Sequence, residues 1–434
     1  MQITVENTGA LERRMAVQVP AQRVADAIDE RLKSLSRTVR LKGFRPGKVP
    51  VNVVKQQYGD AVRQEVIEKL LQSSFSEAVA EQKLTPAGGP RIEAFSAEEG
   101  QDMTFRAVFE VYPDFQLASV EALEVNRPAA EIAESDVDAM IDKLRTQQAT
   151  YSKVERAAKD TDRVNISFVG TVDGEEFKGG KGDNLPVIVG GGRMLPEFEA
   201  GLVGMSAGET KVVDVNFPAD YGVPELSGKL AKFSITVHSV EERVLPEIND
   251  ELAKAFGVEE GGLARLREEV KENMQREMTD AVRSRLRQQL FDGLVNANLS
   301  IELPSVLVQN AMRDIQVEFG RSRGIRDAAQ LPPPEQFLEP ARRRVALGLL
   351  LGEVIKLSGV TVDRGRVQSK LQDMVMQYPD PARALKAFRE NPETQRQIES
   401  MVLEDQVIDW MLEKVKINDQ SISFQELMGL GNQA

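Results

Sequence analysis

At 434 residues the chain is too long for a single compact core, so about two to four domains are expected. A formal net charge of −13 repels nucleic acid on average, so any nucleic-acid contact must come from a local basic patch. The absence of cysteine and the single histidine, His238, exclude disulfides, cysteine nucleophiles, Cys/His zinc sites and most Ser-His-Asp chemistry.

The opening MQITVENTGA has neither a basic start nor an apolar stretch, so no signal peptide is expected. The longest apolar run, at 345–352, stops at Glu353, far short of a membrane span. A cytoplasmic protein without membrane contact is the expectation.

Residues 1–112 read as a small α+β domain. Ile3 and Val5, then Met15, Val17 and Val19, alternate at strand period across an Asn-Thr-Gly turn. A helix is predicted after Pro20, with Val24, Ile28, Leu32, Leu35 and Val39 on one face. A second carries Val54, Tyr58, Val62, Val66 and Leu70, and two further strands follow, the last with Met103, Phe105, Ala107, Phe109 and Val111 alternating. Between the helices lies LKGFRPGKVP, residues 41–50, whose glycines and prolines forbid a regular element.

Residues 113–150 form a linker strand and helix, for which Ser135 is the expected N-cap ahead of Val137, Met140, Ile141 and Leu144. In 151–246 the glycines multiply, and the strand patterns of Val164, Ile166 and Phe168 and of Phe233, Ile235 and Val237 bracket them. A β-rich domain with one short helix near 195–201 is predicted. From 247 to 434 the chain is almost wholly helical to about residue 415. Apolar residues from Leu263 to Leu294 keep steps of three and four, well beyond the usual helix of about 11–12 residues, so this stretch is either broken or arm-like.

Residues 31–59 hold eight basic side chains and no acidic one, in a chain with 68 acids. Such a zone can pair with phosphates or an acidic protein patch, with Phe44 entering an apolar pocket; a solvated helix pair is an equal reading on the residues alone. The stretch Gly43-Phe44-Arg45-Pro46-Gly47-Lys48-Val49-Pro50 resembles the Gly-Phe-Arg-x-Gly-x-x-Pro signature of the trigger factor family of bacterial ribosome-associated chaperones. GLLLGEVI at 348–355, FQELM near the C-terminus and the domain order resemble that family too. The resemblance implies docking on the large ribosomal subunit beside the nascent-chain exit, on protein or ribosomal RNA. The residues so implied are Lys42, Gly43, Phe44, Arg45, Pro46, Gly47, Lys48 and Pro50, with Arg40 in support.

The middle domain resembles the FKBP-type prolyl isomerases in Asp173-Gly174-Glu175-Glu176-Phe177, in Gly192-Arg193-Met194-Leu195-Pro196-Glu197-Phe198-Glu199 and in Phe217-Pro218-Ala219-Asp220-Tyr221-Gly222. Read alone, these aromatics are better explained as the filling of a small core. The resemblance implies instead a proline pocket lined by Phe168, Phe177, Met194, Leu195, Phe198, Tyr221 and Phe233, with Tyr221 donating to a substrate carbonyl. Such catalysis suits a chain poor in nucleophiles: a barrier of ~18–20 kcal/mol from amide resonance falls when a dry pocket binds the twisted amide better. Lys178, where many members carry an acid, and a short segment after Tyr221 weigh against macrolide binding rather than against isomerisation.

Eight of the 14 methionines lie in 247–434, where they serve as core filling or as adaptable contacts for unfolded chains. The expected architecture is multidomain α+β: an N-terminal α+β ribosome-docking domain (1–112), the 113–150 linker, an FKBP-like β-rich domain (151–246) and an elongated all-α C-terminal domain (247–434) packing with the linker. The expected function is that of a ribosome-bound chaperone for nascent polypeptides with prolyl isomerase activity, a homodimer when off the ribosome, without metal or cofactor. The alternatives are a free-standing isomerase with dimerisation or targeting extensions, and an RNA-binding protein.

Overall fold

The computed structural model describes residues 1–41, 44, 48–219, 221–223, 225–325, 327 and 330–430. The chain begins with β1 (Gln2–Asn7), β2 (Glu12–Val19), α1 (Ala21–Thr38), α2 (Val51–Glu81), β3 (Arg91–Ser96) and β4 (Met103–Glu110). The four strands form an antiparallel sheet in the order β1-β2-β4-β3. Register pairs Met15 with Ala107, Val17 with Phe105 and Val19 with Met103, so the alternating residues meet on one face. Leu32 from α1 and Val54, Val62, Val66 and Leu70 from α2 cover that face. Both helices start directly after a proline, Pro20 and Pro50, whose fixed φ suits a helix entry.

β5 (Glu124–Ala129) and α3 (Glu134–Gln147) follow. Ser135 is not the cap of α3: the N-cap position is Ala133, and the Asp136 carboxylate reaches back to accept its N–H at 3.0 Å. An acid at that position satisfies a free N–H and complements the helix dipole, which moves the boundary two residues upstream.

The β-rich stretch comprises β6 (Thr150–Val154), β7 (Arg163–Val172), β8 (Glu175–Ile188), α4 (Pro196–Leu202), β9 (Thr210–Asn216) and β10 (Leu230–Val244). β10 organises it: one edge pairs with β7, while the other pairs with β9 through its first half and with β6 through its second. Val164, Ile166, Leu202, Val215, Ile235 and Val237 form the buried core.

The helical region holds α5 (Asp250–Ala255), α6 (Gly262–Ala297), α7 (Ser305–Ser322), α8 (Leu338–Ser358), α9 (Arg364–Val375), α10 (Pro381–Glu390) and α11 (Pro392–Lys414). β11 (Lys416–Ser421), which pairs with β5, and the short α12 (Phe424–Leu427) close the chain. The long periodic stretch is a single unbroken helix of 36 residues, α6. The chain divides into two compact units, residues 1–127 with 284–419 and residues 128–283 with the segment from Gln420, so the division falls inside α6. In the second unit Leu266, Val270 and Met274 of α6 pack with Val137, Ile141, Leu252 and Phe424. In the first, α7 has Pro304 at its N-cap with no side-chain cap, and Glu110 at the end of β4 accepts the Val306 N–H at 2.9 Å.

Candidate functional site

Every residue expected to line the middle-domain pocket belongs to one aromatic cluster. Phe233 on β10 is its hub, with ring centroids 5.3 Å from Phe198, 5.8 Å from Phe168 and 6.0 Å from Phe177. The rings meet edge to face, the arrangement their quadrupoles favour. Met194 and Leu195, just before α4, pack half-buried against the same core. Tyr221 joins through Phe217, whose ring lies 4.6 Å away, and Tyr221 itself stays 38% exposed. Asp220 lies outside the described residues.

The density of glycine here has a geometric cause. A Cβ on Gly170 would stand 2.5 Å from the Phe233 ring, and one on Gly182 would stand 2.6 Å from that of Phe168. Register makes both pairs direct cross-strand neighbours. The rings therefore lie over bare backbone on the adjacent strand.

Two residues of this site escaped the sequence reading. Phe217, buried, links Tyr221 to the hub; its position just before Pro218 was visible, its burial was not. Glu199 is buried with its carboxylate turned toward the loop that carries Met194, and the only signal was an acid in a short helix.

The single histidine does not build a hydrolytic triad. His238 Nε2 lies 2.6 Å from Ser167 Oγ, which also bonds Asp183, so serine stands between acid and imidazole instead of beyond the imidazole. In a hydrolytic triad the imidazole lies between acid and serine, and that is not the order found here.

Of the basic loop, Phe44, Lys48 and Pro50 are described; Lys42, Gly43, Arg45, Pro46 and Gly47 lie outside the described residues. Phe44 is 39% exposed, and its N–H donates to the Leu41 carbonyl at 3.1 Å. Val49 is buried in the α1–α2 core and anchors the base of the loop, while Lys48 and Pro50 face solvent. Arg31 is tied to Glu65, but Lys33, Arg37, Arg40, Lys48 and Lys55 form no ion pair among the described residues. A separate groove of about 430 Å³ between α2 and β3, lined by Asp60, Arg63, Ile67, Leu71 and Phe95, has mixed charge and none of the aromatic cluster in its walls.

Three stretches of the chain match known protein families. Residues 1–144 match the model of the bacterial trigger factor protein, 262–413 that of the bacterial trigger factor C-terminus, and 154–241 that of the FKBP-type peptidyl-prolyl cis-trans isomerases. The trigger factor of Pseudomonas syringae pv. syringae is 43% identical over 426 residues, covering 98% of both chains. The chain belongs to the trigger factor family. A second relative, the trigger factor of Alkalilimnicola ehrlichii, is 44% identical over 99% of this chain and 95% of its own. A solved structure described as "Promiscuous Substrate Recognition in Folding and Assembly Activities of the Trigger Factor Chaperone" aligns over 95% of this chain and 99% of its own, at 20% identity and a TM-score of 0.48.

A trigger factor is a ribosome-associated chaperone of nascent chains, and this one carries an FKBP-type prolyl isomerase domain. The reading as a free-standing isomerase is not favoured. No helix among the described residues is long and apolar enough to cross a membrane.

Proposed function

We propose that this trigger factor isomerises Xaa-Pro bonds at the aromatic cluster around Phe233 and docks beside the nascent-chain exit through residues 42–50. The observation that carries the first half is the convergence of Phe168, Phe177, Met194, Leu195, Phe198 and Phe233 with an exposed Tyr221 at the rim. An apolar, water-poor wall favours the less polar twisted amide, and one donor at the edge can hold a substrate carbonyl without covalent chemistry. The docking half is supported by an exposed Phe44 on a loop whose base is anchored by Val49, and by Lys33, Arg37, Arg40, Lys48 and Lys55, which form no ion pair among the described residues. Those cations suit ribosomal RNA phosphates and acidic protein side chains alike.

In this reading residues 1–112 form the docking domain, 151–246 the isomerase, and 247–434 with the 113–150 linker the chaperone body. The compartment is the cytoplasm, and a homodimer forms off the ribosome.

One set of variants tests both halves. Phe44→Ala combined with Arg45→Ala abolishes co-sedimentation with ribosomes and leaves peptide isomerisation intact. Phe177→Ala does the reverse. Ribosome binding that survives the loop variant overturns the docking assignment, and unchanged isomerisation in Phe177→Ala places the pocket elsewhere.

A further inference from the structure

Two acidic side chains are buried among the described residues, Asp162 and Glu199. Asp162 is matched by Arg156, but Glu199 forms no ion pair among the described residues. Its charge is met by backbone alone: Oε2 accepts the Gly192 N–H at 3.0 Å and Oε1 accepts the Met194 N–H at 2.9 Å. A carboxylate withdrawn from water is costly unless hydrogen-bonded, and bonds to an ionised acceptor are about twice as strong as neutral ones.

The segment it holds would otherwise be loose. Gly190, Gly191 and Gly192 follow one another, with φ of +74° at Gly190 and +69° at Gly192. Three glycines in a row leave the unfixed chain more conformational freedom than any other triplet. Beyond Gly191, which donates to the Ile188 carbonyl at 3.1 Å, the hydrogen bonds that fix the run up to Met194 among the described residues are those to Glu199. Helix α4 therefore does two things in adjacent residues: Phe198 enters the aromatic cluster, and Glu199 fixes the stretch that delivers Met194 and Leu195 to the same cluster.

We propose that Glu199 is a positioning residue for prolyl isomerisation, its carboxylate holding the 190–194 loop so that Met194 and Leu195 form one wall of the proline pocket. The inference rests on the aromatic cluster being that pocket. Discrimination between planar and twisted amide requires walls that are already in place before substrate arrives, and a wall on a triglycine loop is in place only when something clamps it. Glu199 contacts the loop and not the substrate, so it acts through Met194 and Leu195.

The test uses the full chain with Glu199→Gln, which keeps the shape but leaves an amide NH2 facing one of the two loop N–H groups. The expected result is a fall in kcat/KM for a proline peptide of about tenfold, the worth of one charge-assisted bond. In chains labelled at glycine and methionine nitrogen, the Gly192 and Met194 amide resonances move. The isomerase domain stays folded, its thermal melt lowered only as far as one unmatched buried donor requires. Glu199→Asp, which keeps the charge but shortens its reach, shows the same loss, so charge alone does not rescue. Full activity in Glu199→Gln, unmoved Gly192 and Met194 amides, or a collapsed isomerase domain would each overturn the proposal. Phe177→Ala run in the same assay separates the two readings: if it loses activity while Glu199→Gln does not, only the positioning role fails, and if it too is fully active, the pocket assignment fails first.

Discussion

Asp162 shows how a single carboxylate ties isomerase-domain stability to pH. It stands just before β7, with both oxygens on the Arg156 guanidinium and Oδ2 accepting the Lys159 N–H at 2.9 Å. Burial pushes this carboxyl up, but the Arg156 hydrogen bond, the Lys159 N–H and the Arg156 charge together hold it below the ordinary aspartate value. A folded-state value depressed in this way means the stabilisation is complete above the unfolded value, near 4, and is lost as pH falls through the folded one. Asp162→Asn is therefore expected to cost roughly 1–3 kcal/mol at neutral pH, the cost of leaving buried donors unmatched. Thermal melts between neutral and acid pH check it: the gap between wild type and variant is widest at neutral pH and closes as the wild-type carboxyl protonates. At this scale the sequence is a partial guide. Ser135 was legible as a cap residue, yet the bond from the Ala133 N–H to Asp136 moves the cap upstream within the same turn. That Glu199 faces inward depends on where the glycine run at 190–192 returns to α4 in space, which no local pattern encodes.

Between neighbouring strands, glycine and aromatic positions explain one another. Gly170 on β7 is the cross-strand partner of Phe233 on β10, and Gly182 on β8 is the partner of Phe168 on β7. Each ring folds over the bare backbone opposite it, which places the rings side by side in the cluster. Gly170→Ala forces the Phe233 ring to shift; overpacking of this kind costs about 1–3 kcal/mol. Because Phe233 also touches Phe177 and Phe198, the same substitution lowers isomerisation. Denaturant unfolding and a peptide assay on one preparation read both effects; a loss of stability with unchanged isomerisation would detach the hub from the site. The glycine crowding and the aromatic positions were each plain in the sequence, but their pairing needs the register, which hairpin lengths and bulges near Phe168 and Ser239 determine. The helices were easier to read. The apolar rhythm from Leu263 to Leu294 gave the extent of α6 closely, while its being unbroken follows from the absence of any proline or mid-helix cap within it.

At the scale of the whole chain, compactness does not follow sequence order: residues 1–127 assemble with 284–419, and β11 returns to pair with β5 after almost three hundred residues. Such long-range closure is invisible to periodicity. So is the division of apolar residues between core and surface. Met274 and Met411 are buried, whereas Met376 is 75% exposed, Leu357 64% and Tyr378 50%. The three exposed side chains all belong to the segment 284–419, at the ends of α8 and α9. Tyr378 meets the Phe388 ring on one side, at 5.7 Å, and exposed apolar side chains, thioether among them, are the chemistry suited to many dissimilar unfolded chains. Leu357→Glu combined with Met376→Glu should therefore weaken chaperone action severalfold, measured as the amount of protein needed to prevent aggregation of a denatured reporter. Surface changes of this type alter stability by about 0.5 kcal/mol or less, so the melt of the variant stays in place. Its peptide isomerisation and its ribosome co-sedimentation stay in place as well, since the aromatic cluster and the 42–50 loop are untouched. Undiminished suppression of aggregation by this variant would mean that unfolded chains are held by other apolar surfaces, and these helix ends would lose their assigned role.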